Sequence, residues 1–160
     1  MLQDWNEKKI MVEEAKNIVT YLSQQGHMKA KLTSPLMLRY LADTIYAEFP
    51  KTLHVDFYDD STKIESQLNA EYGKYFESLN KVYLRDSVIV YNIKGDTLRC
   101  PELWWDEQQQ KFYNDKPTKI DTKTEHLYGK NGIEANQDFS IIILNQPTGT
   151  VQIKDIGFPK

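Results

Sequence analysis

The sequence predicts an all-β protein of antiparallel strands, and three observations support this fold class. Segments in which apolar and polar residues alternate recur along the chain, which is the period-two pattern of half-buried strands. Turn-forming segments separate them at short, regular intervals. Aromatic residues, mostly tyrosine, make up 12% of the 160 residues, a composition that suits pleated strands. The pattern indicates a β-sandwich or an elongated stack of hairpins rather than an α/β fold.

The segment around which the chain is organised is Gly95–Asp106, which begins with a turn dipeptide and ends on two tryptophans and an acid. Val82–Asn92 precedes it and Lys111–Ile120 follows it, and both alternate in the same way. Together the three segments are interpreted as strand, turn, strand, turn, strand. The rest of the chain repeats this unit.

Residues 1–26 differ in pattern from the remainder. The apolar spacing of Val12–Leu22 fits a helix, and Gly26 would end one well. Lys16–Ser23 is also rich in β-forming residues, and a glycine after it would suit a hairpin turn. We favour a strand because everything later is β, and we assign 1–26 as an N-terminal strand or linker and 27–160 as the main body of a single domain.

From His27 the chain falls into four similar blocks, 27–61, 62–95, 96–125 and 126–155. A repeated unit of this size cannot bury its apolar face alone, so neighbouring units are expected to stack into a continuous core. The blocks open on Met28–Leu32, Glu65–Ala70, Leu98–Leu103 and Leu127–Ile133. They close on predicted strands at Leu53–Tyr58, Val88–Ile93, Thr118–Thr122 and Thr150–Lys154.

Leu36–Tyr46 is the one later segment with a helical alternative. Its apolar residues recur at helical spacing, and Pro35 and Pro50 would frame one short helix or a bulged loop. We interpret it as a strand, in keeping with its neighbours.

Composition and motifs exclude several classes of function. The 20 basic and 23 acidic residues give a net charge of −3, which argues against nucleic-acid binding. No apolar run reaches the roughly 18 residues of a membrane span. Cys100 is the only cysteine, so no intrachain disulfide is possible, and the sequence has no HExxH, CxxC, Gly-x-Ser-x-Gly or phosphate-binding loop.

The acidic residues cluster but do not predict a catalytic site. Asp56, Asp59 and Asp60 lie together in sequence, and two neighbouring carboxylates could in principle serve a glycosidase. The pattern favours charged turns and strand ends, and it favours a surface or packed role for His54 over metal binding. No catalytic residue, metal site or cofactor is therefore predicted.

Two apolar features remain. Trp104 and Trp105 are adjacent, so on a strand they point to opposite faces, one into the core and the other to the outside. Four consecutive apolar residues near the C-terminus, Ile141, Ile142, Ile143 and Leu144, place apolar groups on both faces of one strand. Such a strand is either covered on both sides or lies at a sheet edge, where it invites strand addition from a partner.

The order of these motifs resembles the LptC family of lipopolysaccharide-export proteins, in the version found in Bacteroides-type bacteria. The resemblance extends over nearly the whole chain from about residue 12, and its last segment resembles the related OstA/LptA modules. The segments that carry it are Ala47–Asp59, Leu68–Gly73, Val88–Asn92, Gly95–Leu98, Glu102–Asp106 and Leu127–Gly132.

The resemblance implies an elongated, twisted antiparallel β-jellyroll, built from repeated hairpin units and open along one side, without enzymatic activity. It implies a periplasmic protein that receives lipopolysaccharide from the inner-membrane LptB/LptF/LptG transporter and passes it to an LptA-like protein by edge-strand addition. The family normally carries an N-terminal membrane anchor. We expect a tether of this kind in a segment absent from the sequence given.

Acyl chains need a continuous apolar wall, which we expect from one face of the predicted strands. Plain core packing is the alternative role for the same residues, and a one-residue register error would exchange the set for its neighbours. Gly132 is expected at a tight turn that tolerates no bulky side chain. The predicted wall consists of Leu53, Val55, Phe57, Leu68, Val88, Val90, Leu98, Leu103, Ile141, Ile143, Val151 and Ile153.

Two functions of different class follow. A lipid-conducting module predicts a long apolar groove and exposed sheet edges. A structural or adhesive β-domain of the cell envelope predicts a filled core, protected edges and a flat aromatic surface around Trp104 or Trp105.

Overall fold

The computed structural model describes residues 11–146 and 149–154, with side chains as far as residue 145. Fourteen antiparallel β-strands form the regular structure of this part and belong to one sheet. The prediction of an all-β antiparallel protein is thus confirmed. The strands are β1 Met11–Gln24, β2 His27–Leu41, β3 Tyr46–Phe49, β4 Leu53–Tyr58, β5 Ile64–Ala70, β6 Tyr72–Phe76, β7 Lys81–Asn92, β8 Thr97–Asp106, β9 Lys111–Tyr113, β10 Thr118–Asp121, β11 His126–Gly129, β12 Ile133–Asn136, β13 Ile142–Gln146 and β14 Gly149–Lys154.

The sheet is an up-and-down meander of long, bent strands. One edge of β2 pairs with β3 through Leu38–Tyr40 and with β4 through Ala30–Thr33. The strands β3 and β4 are thus two halves of one bent strand, and the same holds for β5 with β6, β9 with β10 and β11 with β12. Each hairpin unit pairs with its neighbours in sequence, which is the repeat that the four blocks predicted.

A crease crosses the middle of every long strand. In the pair β7–β8, Arg85 lies opposite Glu102 while Val88 lies opposite Cys100, so the register shifts by one residue at a β-bulge. Positive φ angles mark the same line in other strands, as at Thr52 with φ 70°. The crease residues are Asn17, Pro35, Thr52, Glu71, Asp86, Ser87, Pro101 and Gly132.

The crease divides the sheet into two leaves. Leaf A comprises β4, β5, β10, β11 and the halves of β1, β2, β7 and β8 that adjoin their hairpin turns. Leaf B comprises β3, β6, β9, β12, β13, β14 and the remaining halves.

The hydrophobic core lies between the two leaves. The ring centroid of Phe57 in leaf A lies 4.9 Å from that of Trp105 and 5.0 Å from that of Phe112, both in leaf B. Buried apolar residues of both leaves form one cluster, and burying each large side chain contributes about 1.5–3 kcal/mol. The sheet is therefore folded on itself around a jellyroll-like core.

The N-terminal segment and the segment with a helical alternative are both extended. β1 spans Met11–Gln24 and pairs along its length with β2, as the strand interpretation predicted. Leu36–Leu41 belongs to β2, residues 42–45 form a bend, and β3 begins at Tyr46, so the helical alternative is wrong. Pairing with β1 and β3 satisfies the backbone that an isolated segment would have satisfied as a helix.

The C-terminal segment Ile141–Leu144 differs from its prediction as a sheet edge. β13 begins at Ile142 and is paired on one side with β12 and on the other with β14. The pattern of four apolar residues could not distinguish an edge from a strand covered on both sides, and β14 supplies the second neighbour. Among the described residues, no helix is long and apolar enough to cross a membrane.

Candidate functional site

The structure brings most residues of the predicted apolar wall together between the two leaves. Their side chains are at most 3% exposed, and all but Leu103 belong to leaf A. In these strands, the residues that face the core are therefore the ones that the sequence predicted. These residues are Leu53, Val55, Phe57, Leu68, Val88, Val90, Leu98 and Leu103.

The C-terminal members of the predicted wall lie elsewhere. Ile142 and Leu144 face the core, so Ile141 and Ile143 are only partly buried. Four consecutive apolar residues do not show which of them face the core. Here the alternation is shifted by one residue from the predicted one. The side chains of Val151 and Ile153 lie outside the part of the chain that the structure describes.

Leaf B completes the wall with residues that the sequence interpretation did not select. Trp105, Phe112 and Phe139 are fully buried aromatic residues of this leaf and its adjoining turn. The alternation of Phe112 with Lys111 and Tyr113 was a usable signal for its inward orientation. Phe139 has a φ of 65° in a turn, so no strand pattern could have predicted its burial.

Polar contacts join the leaves along the side opposite the crease, and we call this line the seam. The seam residues are Lys29, Tyr58, Glu65 and Asn92 of leaf A and Gln110, Gln137 and Asp138 of leaf B. Lys29 Nζ donates to Gln110 Oε1 at 3.4 Å, and Gln110 Nε2 donates to the Tyr58 carbonyl at 3.3 Å. Side-chain hydrogen bonds thus join the ends of the two leaves beside the apolar core.

Gln137 is the central residue of the seam and is 1% exposed. Its Oε1 accepts a hydrogen bond from Trp105 Nε1 at 2.9 Å. Its Nε2 donates across the seam to Glu65 Oε2 at 2.9 Å and to the Tyr58 carbonyl at 3.2 Å. One amide side chain therefore uses its acceptor within leaf B and its donors toward leaf A.

Asn92 makes a second connection across the seam. Its Nδ2 donates to the Asp138 carbonyl at 2.9 Å, and its Oδ1 accepts from the backbone of Lys94 and Asp96 in its own turn. The residues next to Gln137 and Asn92 in sequence are turn residues, so the seam lies where hairpin turns of leaf A meet connections of leaf B.

Glu65 of the seam and Glu107, which feels the charge of the seam residue Lys29, have perturbed pKa values. Burial raises the pKa of Glu65, and the negative charges of Asp138, Asp59 and Asp60 raise it further, against the hydrogen bond from Gln137. Burial likewise raises the pKa of Glu107, against the Tyr75 hydrogen bond and the charge of Lys29. The charged forms of both groups are therefore disfavoured while the leaves are together.

An aromatic row crosses the outer face of leaf B. Tyr40 stacks on Tyr46 with centroids 4.7 Å apart, and Trp104 lies 5.9 Å from Phe76 and 6.4 Å from Tyr113. The prediction that Trp104 and Trp105 point to opposite faces is confirmed, since Trp105 is fully buried. Neighbouring rings of the row therefore contact one another on the outer face of the leaf.

The acidic clusters are structural, as the sequence favoured. Asp59 Oδ1 accepts from the backbone of Ser61 and Lys63, and Asp106 Oδ1 accepts from that of Gln108 and Gln109. Both carboxylates therefore cap turns. No group of three His, Cys, Asp or Glu residues in the described ranges could hold a metal ion.

His54 and Cys100 also have structural surroundings. His54 lies on the outer face of leaf A, with Nε2 2.8 Å from Asp56 Oδ1 and Nδ1 2.8 Å from Asn69 Oδ1. Cys100 is buried, and this burial raises the pKa of its thiol to about 12. A thiol of this kind is protonated at neutral pH and is a poor nucleophile.

Among the described residues, the site thus consists of two apolar walls packed against each other and a line of polar contacts that joins the leaves on one side. In a comparison with protein families, a family model described as "Lipopolysaccharide-assembly, LptC-related" matches residues 4–151. No curated protein matches the chain.

Proposed function

The chain belongs to the LptC-related family of lipopolysaccharide-assembly proteins, and we propose that it is a noncatalytic module that binds lipopolysaccharide between its two leaves. In this proposal it lies in the periplasm, tethered to the inner membrane, accepts the lipid from an LptB/LptF/LptG transporter and passes it to an LptA-like protein. The family establishes a role in lipopolysaccharide transport and assembly, and the individual steps are the proposal.

The observation that supports lipid binding is the continuous apolar interior. Leaf A contributes residues such as Val55, Phe57 and Val90, and leaf B contributes Leu84 and Trp105. Moving one CH₂ group of an acyl chain from water into such an interior makes the free energy of binding more favourable by about 0.8 kcal/mol. Several acyl carbons between the leaves would therefore give substantial affinity without any polar recognition.

The ends of the sheet support assembly with partners by strand addition. In the described part of the chain, β1 pairs only with β2, and β14 pairs only with β13. Each therefore presents a free row of backbone donors and acceptors, which is the requirement for adding a strand from another protein. We assign the β14 edge to the LptA-like partner and the β1 edge to the transporter.

A structural or adhesive β-domain is the second candidate, and one observation favours it. The interior is filled, since the largest core side chains are less than 2% exposed. A filled interior is what a domain without a lipid ligand requires. Free edges at β1 and β14 favour the lipid-transport proposal instead.

Photocrosslinking in cells tests lipid binding directly. A diazirine-bearing amino acid would replace Phe57 or Val90, which face the interior, or Lys63 or Lys119, which are exposed outward controls. Ile143, on the face opposite the core, is an additional control. We expect lipopolysaccharide adducts at the two interior positions and none at the controls.

The outcomes separate the two candidates. Adducts confined to interior positions support transport. Absence of adducts at every position, in protein shown to be folded and correctly localised, would favour the structural role. Adducts only at the outward controls would mean that lipid binds outside the leaves, which contradicts the proposed site.

A further inference from the structure

We propose that the two leaves open like a clamshell, with the seam as the latch and the crease as the hinge, to admit the acyl chains. The inference rests on the proposed lipid-binding function and specifies how the site of that function is reached. It assigns Gln137 as the central latch residue.

The first argument is access to the interior. Leu68, Val90, Leu98 and Leu103 are 0% exposed, and Phe57 is 1% exposed. Interiors of this kind are packed at the density of organic crystals, so an acyl chain reaches these side chains only if the surrounding elements separate. The leaves must therefore move apart before the lipid binds between them.

The second argument is the nature of the seam. Its contacts are hydrogen bonds made by side chains at the ends of the strands, at Lys29–Gln110, Gln137–Glu65 and Asn92–Asp138. When the leaves part, water replaces the partner in each of these few bonds, so breaking them costs less than separating the many backbone-paired residues on the crease side. The seam is thus the side along which separation costs least.

The third argument is that hydrogen bonding between neighbouring strands continues across the crease. Thr52 N donates to the Glu71 carbonyl at 2.9 Å, and Glu71 N donates to the Asp86 carbonyl at 3.0 Å. These backbone hydrogen bonds join neighbouring strands at the bend itself. Bulges bend and twist strands locally without ending the sheet, so rotation at the crease can open the seam while the strand pairing persists.

Gln137 couples the latch to the core. The same side chain accepts from the buried indole of Trp105 and donates to Glu65 and to the Tyr58 carbonyl on the other leaf. Opening the seam must break the two donor interactions, while the bond to Trp105 can remain within leaf B. Gln137 therefore separates from leaf A as part of leaf B.

A covalent crosslink across the seam tests the opening. In the variant K29C/Q110C, a short bismaleimide would join two positions whose native side chains meet across the seam. The matched control, R99C/K119C, carries the same linker between directly paired strands within leaf A. Cys100 is buried with a raised pKa, and labelling of the native sequence measures its contribution.

The readout is photocrosslinking of purified lipopolysaccharide to a diazirine-bearing residue at position 90, before and after linker addition. We expect the seam linker to reduce the adduct yield roughly tenfold or more, and the control linker to leave it unchanged. Equal yields in both linked proteins would overturn the clamshell. Absence of adducts in the unlinked proteins would instead contradict lipid binding itself, so the two failures are distinguishable.

A pair of substitutions tests the latch without a linker. Gln137→Glu keeps an acceptor for Trp105 but removes the donor to Tyr58 and places a carboxylate opposite Glu65. We expect lipopolysaccharide to associate roughly tenfold faster with this variant, because the amide donor to Glu65 and to the Tyr58 carbonyl is lost and two carboxyl groups then face each other across the seam. The exchanged pair E65Q/Q137E restores one donor and one acceptor across the seam and should slow association again. Equal association rates in all three proteins would overturn the role of Gln137.

Discussion

Gly132 shows how a single residue holds the crease. Its φ is 99°, and an added Cβ would lie 2.6 Å from Asp115 Cα and closer still to the Asn114 carbonyl oxygen. The clash is with backbone, which cannot rotate away as a side chain can. The sequence predicted a glycine turn here, and the structure identifies the neighbouring backbone that excludes a larger residue.

We therefore expect Gly132→Ala to destabilise the protein by about 3 kcal/mol, from backbone strain and overpacking together. Gly95→Ala is the matched control, because Gly95 has a similar φ of 90° but an added Cβ there would have no other atom within 4 Å. Urea unfolding of both variants measures the difference. Equal losses of stability would show that the clash at Gly132 is relieved by movement of the segment around Asn114.

The ionisation of Glu65 makes the free energy of unfolding depend on pH. Burial raises its pKa in the folded protein, while the unfolded chain retains the ordinary value. Below the ordinary value Glu65 is protonated in both states. As the pH rises from the ordinary value through the raised one, the unfolded state releases its proton more readily, so Glu65 lowers the free energy of unfolding.

Glu65→Gln keeps an oxygen acceptor for Gln137 and cannot ionise. We expect this variant to melt at a higher temperature than the native protein at about pH 7, and the gain to vanish at about pH 3.5, below the ordinary glutamate pKa. Glu125→Gln, at an exposed turn position, is the control in thermal scans. A lower melting temperature for Glu65→Gln at neutral pH would mean that the charged hydrogen bond from Gln137 outweighs the cost of burial.

Among individual residues, the sequence predicted the inward face well where alternation was strict. Val55 and Phe57 alternate with His54, Asp56 and Tyr58, so only one face could be apolar. Ile141–Leu144 offers no polar residue to set the phase, and burial at Ile142 and Leu144 follows from pairing with β12 and β14. The seam was not predictable, because Gln137 and Glu65 become neighbours only when the leaves fold together.

At the scale of elements, β8 places its two tryptophans in different environments. Trp105 enters the core, and Trp104 joins the aromatic row with Phe76, Tyr83 and Tyr113. The aromatic row therefore stabilises the outer face of leaf B by contacts between neighbouring strands.

We expect Trp104→Ala to cost about 2 kcal/mol in the free energy of unfolding, since it removes these ring contacts from a half-buried position. Trp105→Ala should cost about 3–5 kcal/mol, the usual range for a large core aromatic. Lipopolysaccharide adducts at position 90 should persist in Trp104→Ala when it is measured below its melting temperature. Loss of adducts in that folded variant would place the lipid on the outer face and contradict an interior site.

The boundaries of the elements were predictable to different degrees. Leu53–Tyr58 was predicted with the bounds that β4 has, because Pro50 precedes it and acidic turn residues follow it. Leu98–Leu103 was also predicted as strand, yet Pro101 lies at the bulge where β8 crosses the crease. Proline lacks a backbone donor and is tolerated in a sheet at such bulges, so Pro101 was a signal of the bulge that the sequence interpretation did not use.

For the whole molecule, the repeated blocks in the sequence predicted the hairpins, whereas no local pattern predicted that the sheet folds on itself. The blocks predicted stacked hairpins, and β1 through β14 form such a meander. The two leaves, however, depend on the positive φ angle at Thr52 and on the β-bulge at Asp86 and Ser87, which no alternation pattern in the sequence marks. The resemblance to the LptC family supplied the jellyroll, which local patterns alone left open beside the sandwich.

The meander has a consequence for the evolution of length. Because each hairpin pairs only with the hairpins before and after it in sequence, one unit can be gained or lost without any other part of the chain being rethreaded. Each added hairpin widens the sheet by two strand spacings, about 9.6 Å. Duplication or deletion of a single unit can thus change the breadth of the sheet and of the interior that it encloses, with the same bend repeated in every new strand.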